Sequence, residues 1–136
     1  MGRTMNKRGG YRQRIGKEGE EDAVEYLERE GYFILERNFR AERGEIDIIA
    51  RDGNTLVFVE VKTTVRGGFG EPEEWVNQKK QTQIGKVAMG YLQEKRLENV
   101  DCRFDVVAVT KIGKKTRIRH IEDAFWLNER KSESLF

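Results

Sequence analysis

Histidine, cysteine, proline and serine are nearly absent from this chain of 136 residues, and each shortage removes a class of chemistry. His120 and Cys102 are the only residues of their kinds, so one copy cannot assemble a structural zinc site or a histidine-based metallonuclease. The only serines, Ser132 and Ser134, fall in a polar C-terminal stretch where no base can be held rigidly beside them. That argues against a serine hydrolase. A lone cysteine forbids an internal disulfide and agrees with a reducing compartment. No apolar run approaches the roughly 18 residues of a membrane span, and no apolar signal-peptide core is seen. A cytoplasmic protein that does not engage a membrane is expected. What remains for catalysis is carboxylate and lysine.

Hydrophobic and charged residues each make up 37% of the chain, which suits one globular domain with a modest core and a heavily charged surface. The formal net charge of +2 conceals an uneven distribution. Arg3, Lys7, Arg8, Arg12, Arg14 and Lys17 precede the first acid, Glu18, and Gly2, Gly9 and Gly10 lie among them. Residues 1–13 are therefore expected as a flexible basic arm, serving either as a solubilising tail or as a salt-sensitive contact to nucleic-acid phosphates. Residues 14–127 would form the domain and residues 128–136 a polar tail.

Two apolar runs carry charges that a buried strand should not tolerate. They are Gly44 to Ala50, containing Glu45 and Asp47, and Leu56 to Lys62, ending in Glu60, Val61 and Lys62; Arg51 Asp52 Gly53 Asn54 Thr55 separates them. Asp-Gly and Gly-Asn pairs between β-prone runs are strong hairpin signals. With Gly53 and Asn54 as the loop, Asp47 faces Glu60; with Asp52 and Gly53 as the loop, the two are diagonal neighbours. Either register puts the carboxylates on one face, about 5 to 8 Å apart. Like charges so close, in Val and Ile surroundings, need compensation. A Mg²⁺ or Mn²⁺ ion between them supplies it, because both ions prefer oxygen ligands. Lys62, on the same face as Glu60, is placed to orient an attacking water and to offset charge growing on a phosphate.

Asp47 followed thirteen residues later by Glu60-Val61-Lys62 resembles the PD-(D/E)xK signature of the restriction-endonuclease-like superfamily. The blocks Gly16 to Glu20, Arg37 to Arg40, Gly44 to Ile49, Val57 to Lys62 and Arg103 to Val107 resemble those of the bacterial YraN family. The resemblance covers roughly residues 14 to 127 and implies a fold similar to archaeal Holliday junction resolvases. It also implies that a Glu on the first helix, here Glu20, joins the site, and that a lysine near Lys79 contacts the site or a phosphate. The residue before the motif Asp is Ile46 rather than Pro. The implied site is then Asp47 and Glu60 as ligands of Mg²⁺ or Mn²⁺, with the Val61 carbonyl as a backbone ligand, Glu20 as a further one and Lys62 assisting the water.

Helical spacing of Ile15, Gly19, Ala23, Val24, Tyr26 and Leu27 predicts a first helix ending at Gly31. Strands follow at Tyr32 to Phe39 and in the hairpin. Thr64 to Pro72, rich in glycine, reads as a mobile loop in which Arg66 and Phe69 could meet phosphate and base. A second helix is expected over Glu73 to Lys95, buried through Val76, Ile84, Val87, Ala88, Tyr91 and Leu92. Strands at Arg103 to Val109 and Lys115 to Ile121 precede a segment packing Phe125 and Trp126. His120 reads as an ordinary strand histidine, and Asp105 as either structural or catalytic. The expected fold is α/β: a single-domain, restriction-endonuclease-like sandwich of order αβββαββ, its mixed central sheet flanked by helices. The expected function is a metal-dependent nuclease acting on DNA, including branched or repair intermediates, with Arg40, Arg43, Arg66 and Lys79 as nucleic-acid contacts. A non-catalytic nucleic-acid-binding module on the same fold is the alternative. DNA against RNA, the substrate's structure and a homodimer are left open.

Overall fold

The computed structural model describes residues 2–65 and 76–125, with residues 2–9 described by backbone alone. The elements are α1 (Gly2–Arg29), β1 (Phe33–Ala41), β2 (Gly44–Asp52), β3 (Thr55–Val65), α2 (Gln78–Glu94), β4 (Cys102–Ile112) and β5 (Lys115–Ile121). Their order is the αβββαββ of the sequence reading. The five strands form one sheet in chain order. All neighbours are antiparallel except β3 and β4, which are parallel. A parallel pair cannot be closed by a tight turn, and α2 is the crossover that joins them.

Each helix covers one face. Ala23 and Leu27 of α1 pack on Ile48, Ala50, Val57, Val59, Val107 and Val109. Ile84, Val87, Ala88 and Tyr91 of α2 pack on Ile46, Ile49, Phe58, Phe104 and Val106. The central strand β3 is thus buried on both sides, which is why its sequence lacks the alternation of a half-exposed strand. The β2–β3 turn takes the first of the two anticipated registers: Asp52 pairs with Thr55 and Ile48 with Val59. Gly53, at φ 61°, supplies the positive φ that such two-residue turns need.

Two boundaries differ from the sequence reading. Helix α1 extends back to Gly2, ahead of Ile15, where the helical spacing begins. Arg, Lys, Met and Gln are good helix formers, and their propensity outweighs Gly9 and Gly10. Helix α2 starts at Gln78 rather than Glu73, because the Asn77 side chain accepts the Lys80 N–H at 2.8 Å and caps it. Val76 is buried as expected, but ahead of the cap. Arg66, Phe69, Trp126 and the tail 128–136 lie outside the described residues. Among the described residues no helix is long and apolar enough to cross a membrane.

The end of α1 follows from Gly31, whose φ of 92° lets the Gly31 and Tyr32 N–H groups bond the Glu28 and Leu27 carbonyls at 3.0 and 2.9 Å. Gly19 has a different reason. A Cβ there would sit 2.0 Å from Thr63 Oγ1 and 2.8 Å from its Cγ2, so the glycine sets how closely α1 approaches β3. Gly19→Ala gains about 1 kcal/mol of helix propensity but overpacks a β-branched neighbour, at about 1 to 3 kcal/mol. Net destabilisation is expected in urea unfolding, and Gly19→Ala/Thr63→Ala should recover it. A single variant as stable as wild type would show that the contact is not tight.

Candidate active site

The hairpin departs from a regular ladder at Asp47. Ile46 and Ile49 pack in the cluster under α2, Ile48 and Ala50 in the cluster under α1. Strict alternation would place Ile46 with Ile48, so the alternation breaks across Asp47. The ladder pairing of β2 with β3 also ends there, at Ile48 and Val59. Beyond it the Asp47 carboxylate accepts the Val61 N–H at 2.8 Å. A side-chain oxygen takes the place of a strand carbonyl, so β3 keeps its bond while β2 diverges.

The fork brings the two motif acids together. The Asp47 and Glu60 carboxyls lie close enough to perturb each other's titration. Burial and the Asp47 charge push the Glu60 carboxyl up to about 8, with Lys80 pulling the other way. Asp47 is also raised, chiefly by burial, although the Val61 and Glu60 hydrogen bonds oppose the shift. Lys80 Nζ lies 4.0 Å from Glu60 on a partly exposed side chain, too loose to neutralise the pair. Without another cation the two carboxyls share a proton.

A hollow of about 410 Å³ adjoins them, lined among others by Gln13, Lys17 and Glu20 of α1 and by Asp47, Val61 and Lys62. Glu20 Oε1 is buried and has no hydrogen-bond partner. The carboxyl is raised by burial first and the Asp47 charge second, while Arg37 and an Asn38 hydrogen bond favour its ionised form. Asn38 stands at φ 52°, a left-handed backbone that Asn tolerates better than most residues. Glu20, Asp47, Val61 and Lys62 therefore meet at one hollow, and Glu60 reaches it through Asp47. Lys62 itself is exposed.

The expected nucleic-acid contacts are not gathered there. Arg40 and Arg43 line a separate hollow at the β1–β2 turn; Arg40 pairs with Glu45 at 3.3 Å, and the Arg43 carbonyl accepts Gln83 Nε2. Lys79 is exposed on the first turn of α2, and its neighbour Lys80 is the lysine that faces Glu60. Sequence reasoning missed Lys80, Asn38 and Gln13. Helical spacing could have favoured Lys80 only once Asn77 was recognised as the cap.

Residues 19–109 match the family model described as Uncharacterised protein family UPF0102. A UPF0102 protein of Geobacter metallireducens is 50% identical over 117 residues, covering 86% of this chain and 96% of the relative. One of Syntrophus aciditrophicus is 53% identical over 114 residues, covering 84% and 90%. The chain belongs to the UPF0102 family. This is the YraN family that the sequence blocks resemble. The UPF0102 match runs from Gly19 to Val109, so Glu20, Asp47, Glu60 and Lys62 fall inside it, while His120 and β5 lie beyond.

A second polar cluster occupies another hollow, lined by Tyr26, Glu30, Tyr32, Asp52, His120 and Glu122. At its base Asp105, fully buried, bonds Arg103 at 2.9 and 3.0 Å, His120 Nε2 at 2.7 Å and the Asp123 N–H at 3.0 Å. Burial alone would raise its carboxyl, but the bonds from His120, Arg103 and Asp123 hold it below the ordinary value. Both oxygens are engaged, so Asp105 reads as structural.

The two acid sites have opposite pH signatures. Folded Glu60 keeps a proton that the unfolded chain, near 4.5, releases. Metal-free stability should therefore fall as pH rises from about 4.5 to about 8, at up to ~1.4 kcal/mol per pH unit. Urea midpoints in EDTA across that window would measure it, and Glu60→Gln should flatten the decline. A wild-type profile that rises through the window would contradict the shared proton.

Proposed function

We propose that this chain is a divalent-cation-dependent phosphodiesterase of the cytoplasm acting on nucleic acid, with DNA the first candidate. The observation that carries the reading is the Asp47–Glu60 pair, two part-buried carboxyls that perturb each other, beside a buried Glu20 oxygen without a partner. Acidic groups are gathered there, and the cations that face them, Lys80 at 4.0 Å from Glu60 and Arg37 toward Glu20, leave both carboxyls raised above their ordinary values. Among the described residues no three His, Cys, Asp or Glu side chains converge closely enough to hold an ion unaided. Mg²⁺, however, is usually held by one or two carboxylates, completed by waters and substrate phosphate oxygens. Asp47 and Glu60, the Val61 carbonyl beside them, and Glu20 as a further ligand fit that requirement, for Mg²⁺ or Mn²⁺ alike.

Such an ion, when bound, acidifies a water and polarises a phosphoryl oxygen. The chain's own residues do the rest. Asp47 fixes the fork through the Val61 N–H, which holds Glu60 against it. Lys62, at the rim of the hollow, orients the attacking water and offsets charge developing on the phosphate. The exposed hollow admits a polymer rather than enclosing a small metabolite.

The test is a panel of labelled duplex, single-stranded, flap and four-way-junction DNA, with an RNA arm, incubated with Mg²⁺ or Mn²⁺ and compared with EDTA. Cleavage that requires the ion is expected. Binding without cleavage under every ion would assign the alternative, a non-catalytic nucleic-acid-binding module.

A further inference from the structure

The sheet carries a row of cations that the proposed site does not use. On β5, Ile118 packs in the cluster under α1 and Ile121 against the cluster under α2. Alternation therefore places Lys115, Arg117 and Arg119 on the α2 side with Ile121. Val106 marks the same side of β4, so Ala108 and Thr110 share it. Pairing then aligns two rows across three strands: Lys62 with Ala108 and Arg119, and Thr64 with Thr110 and Arg117. Residues paired across strands share a face.

Helix α2 packs chiefly on β2 and β1, so among the described residues this end of the face is formed by the side chains of β4 and β5. The floor between the cations is small and neutral, Ala108 and Thr110, both buried. Lys115, Arg117 and Arg119 are exposed. Among the described residues neither Lys115 nor Arg117 is paired to a carboxylate. Arg119 is engaged within the protein as well, so the track does not depend on it alone. Two strand spacings separate Lys62 from Arg119, about 10 Å, and two residues along β5 separate Arg119 from Arg117, about 7 Å. Phosphates of one strand of a duplex advance about 3.4 Å per nucleotide, so cationic side chains at these spacings match phosphates about two and about three nucleotides apart. A row that ends at Lys62 leads to the carboxylates.

We propose that the Lys115, Arg117 and Arg119 face of β5 is a binding track for the phosphodiester backbone of a nucleic-acid strand, delivering it across β4 to Lys62. This rests on the phosphodiesterase reading of the Asp47 and Glu60 hollow and names where its substrate lies. Charges on an edge strand also discourage edge-to-edge aggregation; that role alone predicts no effect on nucleic-acid affinity.

The experiment measures binding of labelled duplex and single-stranded DNA to the full chain in EDTA, so that nothing is cleaved, over a salt series. Wild type is compared with Lys115→Gln/Arg117→Gln and Arg117→Gln/Arg119→Gln, with melting curves confirming the fold. The track predicts weaker binding in both variants. It also predicts a slope of log K against log salt shallower by about 0.9 per lost duplex contact and about 0.7 per lost single-strand contact. Mn²⁺ binding, followed by calorimetry, should not change. The first variant spares Arg119, so misfolding through that residue cannot mimic the result. Wild-type binding with the same affinity and slope in both variants overturns the track and leaves the carboxylate site standing. Lost affinity without any ion-dependent cleavage supports the track while the phosphodiesterase reading fails. No binding by wild type at low salt overturns both.

Discussion

Asp47→Asn is expected to abolish ion-dependent cleavage, by about 100-fold or more, while leaving the fold intact. The amide keeps an oxygen for the Val61 N–H, which Asp47 accepts at 2.8 Å, so the fork is preserved; Asp47→Ala would orphan that N–H at about 1 to 3 kcal/mol. What the amide removes is one of the two part-buried carboxyls, and with it the second carboxylate of the proposed cation site. The metal-free variant should melt at or above the wild type, because the carboxyl pair no longer has to be held together. Mn²⁺ or Mg²⁺ should raise the melting temperature of the wild type by mass action and leave that of the variant unmoved. Lys62→Met separates the roles further. It keeps the ion-induced rise in melting temperature and loses about 100-fold in cleavage, the scale of one transition-state donor. Equal ion-induced stabilisation of the wild type and Asp47→Asn would end the metal reading. Unchanged cleavage by Lys62→Met would make that lysine a counter-ion only.

The largest stability effect is expected at Asp105. Asp105→Ala leaves Arg103 and His120 without the buried anion that bonds both, and breaking such a pair from one side costs about 3 to 5 kcal/mol. That is a large share of the roughly 5 to 15 kcal/mol by which a domain is stable. The pH sign is opposite to that of Glu60. Because the folded carboxyl is held below its ordinary value of 3.8, its stabilisation is full above that value and is lost as pH falls through the depressed one. Together the two sites predict maximal metal-free stability in mildly acid solution. Urea unfolding of Asp105→Ala and Asp105→Asn measures the effect, and a loss under about 1 kcal/mol would remove the structural reading. Cleavage per folded molecule should not change, since Asp105 and the Asp47 hollow share no lining residue.

Much of this was legible beforehand wherever the physics is local. The turn residues Gly53 and Asn54, the apolar runs beside them and the period of two along a strand sufficed to put Asp47 near Glu60, and the observed register agrees. The helical stripe of Ile84, Val87, Ala88 and Tyr91 was equally plain. The start of α2 is not legible in the same way, because helical spacing says nothing about where a cap acts; the Asn77 side chain sets it.

The sequence by itself determined the family, the order of elements and the pairing of the motif carboxylates, because each depends on residues close along the chain. Only the tertiary structure decided that alternation breaks at Asp47, that Glu20 lies with an unpartnered oxygen beside it, and that Lys80 rather than Lys79 faces Glu60. It alone gathered Asp52, Arg103, Asp105, His120 and Glu122 into one network, and lined Lys62 up with Arg119 across Ala108. Apart from Arg103 and Asp105, two positions apart on β4, the groups so joined or aligned lie 15 to 57 positions apart, and at such separations the side chains that meet are chosen by how helices and strands pack, which no local pattern of charge or hydrophobicity encodes.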